Sequence, residues 1–466
     1  MGPAVAQPGD LAIDRAGARA DAAALPAAGL NAEELAQAEQ GKLVIARVIR
    51  RLIPFIFLCY VVAYIDRVNI SFAANQLQLD LGLSDAAYGW GAGLFFLGYC
   101  LFEIPSNLIL DRVGARLWIA RIMIGWGLMS MAMMFVWDKW SFYGARVLLG
   151  IAEAGFFPGM VLYLTYWIPS SERARAGALF MMAAPIAMII GAPVSEALLG
   201  MHGMMGLHGW QWLFIMEGVP AVVLGVMALW YLTDRPEDAK WLPAADRAWL
   251  ADTMARERTE RAKHQVSGHS LAAILDPKVL LLCVIYFLNT VVTYGVFLWL
   301  PKILRDASGF DGFKLSAITA IPFTAALIGM VLIGRHSDRT GERKIHVALC
   351  ALTAALGLVL SVTFQDSVLI IVLSFALSQV GQRSVMSVFW AIPPIFLGGT
   401  AAAAGIALIN SIGNLGGFVG PSVMGMLRGS TQSYSTGLLM LAGALLLEAV
   451  LVMTLRLPAR ARQTVR

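Results

Sequence analysis

Four charged side chains stand in stretches where an apolar sequence has little ordinary use for them: Asp66 and Arg67 in one, Arg146 and Glu153 in another. A charge at the centre of a bilayer costs about 2.5–3.5 kcal/mol on insertion scales, so each needs a partner or a water-filled path. Tyr60, Tyr64, Arg67 and Ser71 recur at i, i+4, i+7 and i+11 and share one helical face, with Asp66 about 100° around from Arg67. Arg146, Gly150, Glu153 and Phe157 repeat that spacing. Arg146 and Glu153 lie two turns apart, about 10 Å along the axis, so neither satisfies the other. Asp66 and Arg67 on another helix are the natural complement. A static charge pair that fixes packing is the plain alternative, but one pair would be enough for that. Two acids and two bases in one half exceed that need and fit helices that face an aqueous path rather than lipid.

A third face carries Gln379, Arg383, Ser387 and Trp390. Arg383 falls near the middle of its segment, with no carboxylate at helical spacing to neutralise it. It is expected to face Arg67 and to bind a second acidic or strongly accepting group on a cargo; the alternative is a bond to Gln379 or to backbone carbonyls. Asn410 and Asn414 lie one turn apart amid Gly413, Gly416, Gly417 and Gly420, glycines that indicate close helix packing or a bend. Glu103 and Glu217, at the edges of apolar stretches, are assigned structural roles. Cys59, Cys100, Cys283 and Cys350 all sit inside apolar segments and behave as small hydrophobes, while the six histidines form no ligand spacing. No metal site, cofactor or activated nucleophile emerges, so the chain is not expected to be an enzyme.

The elements that must position these residues follow from composition. Of 466 residues 58% are hydrophobic and 14% charged, against roughly 25% charged in soluble domains. Apolar stretches of the length that spans a bilayer fall at 53–73, 87–110, 116–136, 141–164, 175–200 and 211–232, then at 279–301, 314–335, 345–364, 367–391, 401–427 and 435–456. The fold class is therefore an all-α membrane protein of twelve transmembrane helices. Asp-Arg-x-Gly-x-Arg occurs twice, as Asp111, Arg112, Gly114, Arg116 and as Asp338, Arg339, Gly341, Arg343, displaced by 227 residues and each time after the second stretch of a set of six. That is a parallel repeat. The domains are a disordered tail (1–44), a six-helix lobe (45–232), a charged linker (233–278), a second lobe (279–457) and a short tail (458–466). Arg and Lys concentrate on the side that carries both hinge strings and both termini, which makes that side cytoplasmic. Lys302, Arg305 and Lys314 are exceptions. In each hinge string the acid can receive charge-assisted bonds from Arg, a clasp that holds one conformation and breaks in the other.

The chain resembles the major facilitator superfamily and, within it, the anion:cation symporter family of organic-acid transporters. The resemblance covers roughly residues 45–458. It rests on Tyr64 to Ile70 (YIDRVNI), Phe102 to Asn107 (FEIPSN), Arg146 to Ala154 (RVLLGIAEA) and Ile409 to Gly417 (INSIGNLGG). It implies that Arg67 binds the substrate carboxylate, that Asp66 and Glu153 are the proton-coupled acids, and that Arg146 pairs with Asp66. Tyr64, Tyr99 and Asn414 become cavity contacts, joined by Ser387, Trp390 and Asn410. Asn107 stands where the superfamily hinge usually has Gly, and Gln382-Arg383 is unusual in the tenth helix of this family.

The expected function is proton-coupled import of an organic carboxylate (a sugar acid, a tartrate-like acid or an aromatic acid) by alternating access. The partners are that acid, protons or, as the alternative coupling ion, sodium, and the lipid bilayer. No nucleic acid is expected, and the chain should be a monomer in the cell inner membrane. An anion exchanger or exporter of the same fold and a transporter-like sensor remain alternatives.

Overall fold

The computed structural model describes residues 32–264, 276–395 and 399–455, apart from a few side chains within them. Twelve helices are long and apolar enough to cross a membrane: Glu39–Leu81, Asp85–Leu110, Ala115–Phe135, Lys139–Trp167, Leu179–Leu199, Gly209–Tyr231, Pro277–Phe297, Gly312–Thr340, Arg343–Thr363, Val368–Phe389, Gly405–Thr431 and Ser435–Thr454. They are called the first to twelfth spans below, and each coincides with one of the twelve apolar stretches. No strand occurs among the described residues.

Local chemistry sets the ends. Ser84 caps the second span by accepting from Ala87 N at 3.1 Å, and Asp138 and Ser141 cap the fourth reciprocally. Gly114 and Gly341 turn the two hinge strings at φ of +100° and +71°, a region open to glycine because it lacks Cβ. The first helix begins at Ala32, before its span. Residues 32–44 are Ala-, Glu- and Gln-rich, so they are strong helix formers without being apolar.

Spans one to six and seven to twelve form two lobes, which meet along two seams. One joins the second span to the eleventh and the other joins the fifth to the eighth. At the first seam a Cβ on Gly93 would lie 2.7 Å from Phe418 O, and one on Gly89 2.5 Å from Pro421 O, so the backbones touch. In the linker, helix Ala244–His264 lies on the first lobe. Its Leu250 and Met254 are buried, Asp246 pairs with Arg47, and Glu257 receives Ser170 N at 2.6 Å and Arg173 at 3.2 Å. Linker residues 265–275, tail residues 1–31 and the basic residues from Arg456 onward lie outside the description.

The lobes are clasped at the end opposite the hinge strings, the far end. Lys302, on helix Leu300–Ser308 of the second lobe, reaches Asp85 Oδ1 at 2.6 Å and bonds Gln78, both on the first lobe. Tyr88 Oη donates to Leu298 O at 3.3 Å. Lys302 and Arg305, the exceptions to the charge pattern, are thus held by acids: Asp85 for the first and Asp311 for the second. An outer pocket of about 530 Å³ lies beside this clasp, lined by Asn75, Gln78, Asp85, Lys302 and Arg305.

Candidate functional site

Arg67 occupies the lobe interface, 8% exposed. Its Nε lies 3.1 Å from Glu153 Oε1, its Nη2 bonds the same oxygen, and its Nη1 donates to Tyr294 Oη of the other lobe at 3.3 Å. The rings of Tyr99, Tyr64 and Phe95 lie 5.2, 5.5 and 5.5 Å from its guanidinium carbon, so aromatic faces stand where a soluble protein would place water. Glu153 is the last residue of its helix segment. The fourth span breaks at Gly155, whose φ of +85° starts a second segment, Phe156–Trp167. The break leaves Glu153 fully buried, with Oε2 free of any partner among the described residues. The expected pairing of the first and fourth spans therefore takes the form Arg67 with Glu153.

The other half of that expected complement does not form. Arg146 sends Nη2 to Ala92 O at 3.2 Å and Nε to Gly91 O at 3.4 Å, both on the second span. It lies within electrostatic reach of Asp66 without bonding it. Gly150 explains why: with no side chain, it lets the second span cross against the fourth at Phe95, and carbonyls of that span come within reach of Arg146. Asp66 points into the first lobe, where Ser130 Oγ donates to Oδ1 and Asn69 Nδ2 does so at 3.0 Å. Glu217, bonded by Ser195 Oγ at 2.7 Å, stands in reach of Asp66 and Asn69. Of the two acids expected to work together, Glu153 lies at the lobe interface and Asp66 inside the lobe, bonded to different partners but within electrostatic reach of each other.

On the second lobe, Arg383 is buried over the Phe297 ring at 5.3 Å. It has no carboxylate or hydrogen-bond partner among the described residues, and neither Gln379 nor a backbone carbonyl takes it up. Tyr294 lies in reach of both Arg67 and Arg383. Gln382 bonds Thr293 and Asn289 O, and Asn289 Nδ2 donates to the buried Glu448 at 3.2 Å. Trp390 packs edge-on against Tyr286 at 5.0 Å. Ser387 is exposed, bonds Ser384 O and faces Gly334 of the eighth span, apart from the Arg67 cluster. Asn410 and Asn414 both bond Glu103 of the first lobe, at 2.5 and 3.3 Å. The eleventh span bends just beyond Asn414, and Gly416, Gly417 and Gly420 press on the seventh and second spans, so the glycines serve both expected uses.

The hinge strings bond within their own lobes. Asp338 pairs with Arg343 at 2.7 Å, and Arg343 also bonds Ser337. Arg116 meets Asp234, whose Oδ1 accepts from Arg116 N at 2.8 Å and so caps the third span from the end of the sixth. Arg112 and Arg339 are exposed, and the side chain of Asp111 lies outside the description.

Sequence reasoning missed Tyr294, the Glu103 contact and the amide chain through Asn289. Tyr294 had a signal. It stands 227 residues after Arg67, the displacement that relates the hinge strings, so the two are repeat equivalents that touch across the lobe interface.

Residues 56–421 match the family model described as Major Facilitator Superfamily. A putative tartrate transporter of Agrobacterium vitis is 49% identical over 416 residues, covering 88% of this chain and 91% of its own length. A quinolone resistance transporter of Acinetobacter baumannii is 42% identical, covering 88% and 94%. The inward-open xylose transporter XylE from E. coli superposes with a TM-score of 0.72 at 15% identity, over 89% of this chain and 98% of that one, a likeness of fold alone.

Proposed function

The chain belongs to the Major Facilitator Superfamily and is a multi-pass membrane transporter; from that premise we propose that it imports a small organic carboxylate together with protons. The observation that carries the reading is the double attachment of Arg67, to Glu153 on its own lobe and Tyr294 on the other. The Arg67–Glu153 pair is balanced in two ways: Arg67 with ionised Glu153, or Arg67 with a bound carboxylate and protonated Glu153. Cargo without a proton, or a proton without cargo, leaves a net charge in a low-dielectric site. At about 2.5–3.5 kcal/mol for such a charge, each uncoupled state is disfavoured roughly a hundredfold. Anion and proton then cross together.

Arg383 has no carboxylate partner among the described residues and is the receiver of a second acidic or acceptor group, which favours dicarboxylates and polyhydroxy acids. The likeness to putative tartrate transporters supports that class. The hinge end is cytoplasmic, with both termini, and the membrane is the cell inner membrane. The far-end clasp of Lys302 and Asp85 then closes the outer side. A monomer carries the complete site.

The test is uptake of labelled tartrate into proteoliposomes with the outside made acidic. Wild type should accumulate it. Glu153→Gln should lose accumulation while keeping exchange of tartrate across the membrane, and Asp66→Asn should slow both. Accumulation by Glu153→Gln at the wild-type level overturns the coupling. Export is the second reading, favoured by the likeness to a quinolone resistance transporter. It predicts instead that the acid-outside gradient empties loaded vesicles.

A further inference from the structure

Glu103 has no part in that reading, yet it makes the most directed contact between the lobes. It is 3% exposed, on the second span one turn beyond Tyr99, and shares that ring's face. Its Oε1 accepts from Asn410 Nδ2 at 2.5 Å and its Oε2 from Asn414 Nδ2 at 3.3 Å. Two amides one turn apart, each on a separate oxygen of one carboxylate, have the arrangement of a carboxylate receptor. Arg67 lies in electrostatic reach of the same acid, as do Tyr99 and Tyr286. Joining the helices does not require this pair. The second and eleventh spans already touch backbone to backbone through Gly89 and Gly93, and Cys100 Sγ bonds Ser411 O beside the pair at 3.3 Å. A buried, ionisable side chain with two donors exceeds what that seam needs.

Asn410 and Asn414 are already cavity contacts by the family resemblance; we propose that Glu103 is the built-in occupant of the carboxylate receptor they form. The proposal rests on the organic-anion reading above. In the empty carrier each anion-receiving group near Arg67 is then satisfied by the chain's own acid: Arg67 by Glu153, the two amides by Glu103. Cargo enters by displacing Glu103 and leaves when Glu103 returns. A tethered competitor acts at an effective concentration in the millimolar range, enough to oppose rebinding of a cargo held at similar strength. Arg383 has no such occupant, so it would retain the far end of a dicarboxylate while the near end is exchanged.

The experiment is equilibrium binding of tartrate to the purified full chain by calorimetry, with wild type, Glu103→Gln and Glu103→Asp. The Gln variant keeps an acceptor for one Asn and, once the other Asn amide turns, a donor for its oxygen, but removes the competing charge, and should bind tartrate roughly tenfold more tightly, with slower release. The Asp variant is one methylene too short to reach both amides and should fall between. Should Glu103→Gln prove unrecoverable, the Asp variant decides alone. Unchanged or weaker binding in the recovered variants, with wild type binding tartrate, makes Glu103 a packing residue and overturns the proposal. Failure of wild type itself to bind tartrate instead removes the organic-anion reading, and this proposal with it.

Discussion

At one place in the repeat the first lobe carries Asp66-Arg67 and the second carries Thr293-Tyr294. The surroundings differ to match. The first pair meets a carboxylate, a hydroxyl and an amide, with Glu153 on Arg67 and Ser130 and Asn69 on Asp66. The second meets amides, with Gln382 on Thr293. Each lobe also buries one acid on its last span, Glu217 bonded by Ser195 and Glu448 bonded by Asn289. Duplication kept the scaffold and its buried acids, whereas the charges at the interface diverged. The first lobe holds an acid and a base in contact, which on the proposed reading would move a proton together with an anion. The second offers neutral donors and one isolated cation, Arg383, the means to select a cargo.

That division can be broken by substitution. The largest effect is expected from Arg67→Ala, which leaves Glu153 buried without its cation. Tartrate binding should fall roughly a hundredfold, since removing one partner of a buried, hydrogen-bonded charge pair between protein and ligand costs about 2–5 kcal/mol; a loss under tenfold would move the anion site elsewhere. Arg383→Gln comes next. A charge-assisted hydrogen bond is worth about 1.5–3 kcal/mol, so a dicarboxylate should lose roughly 10- to 150-fold in affinity while its monocarboxylate analogue changes little. Equal losses for both would make Arg383 a structural cation and erase the distinction between the lobes. Tyr294→Phe removes a single neutral hydroxyl from Arg67 and should weaken tartrate binding by about fivefold, near 1 kcal/mol. An effect as large as that of Arg67→Ala would mean that the repeat mates share one role. The smallest change is expected at the hinge. Asp338 pairs with Arg343 inside one lobe and is 69% exposed, so Asp338→Asn should slow transport but alter binding by less than about threefold. A larger loss of binding would place Asp338 in the site.

Much of this was legible in the sequence, for reasons that differ by residue. The twelve spans were, because apolar length is set by bilayer thickness. Arg67 and Glu153 were, because a charge in such a span demands a partner and few exist. The partners of Arg146 were not. They are backbone carbonyls brought near by a crossing at Gly150, and helical spacing says nothing about which backbone passes a given residue. Nor was the separation of Asp66 from Glu153, which depends on Ser130 of the third span; a serine in an apolar stretch gives no signal of its own. The helical start at Ala32 escaped a reading based on apolar length, because its residues favour a helix through propensity alone. In the hinge strings the expected bond from Arg to the acid forms between Arg343 and Asp338, within one lobe. The cross-lobe ion pair lies at the opposite end, at Lys302, among the cations that spoiled the charge pattern.

The Lys302–Asp85 pair gives the idle carrier a preferred side. Every 1.4 kcal/mol by which it favours the closed far end multiplies the waiting population on the hinge side about tenfold. Affinity measured from the two faces of the membrane then differs by that factor, although the binding groups are the same. On the import reading, a single largely buried contact at the far end thus sets how much external acid is needed before the carrier begins to turn over.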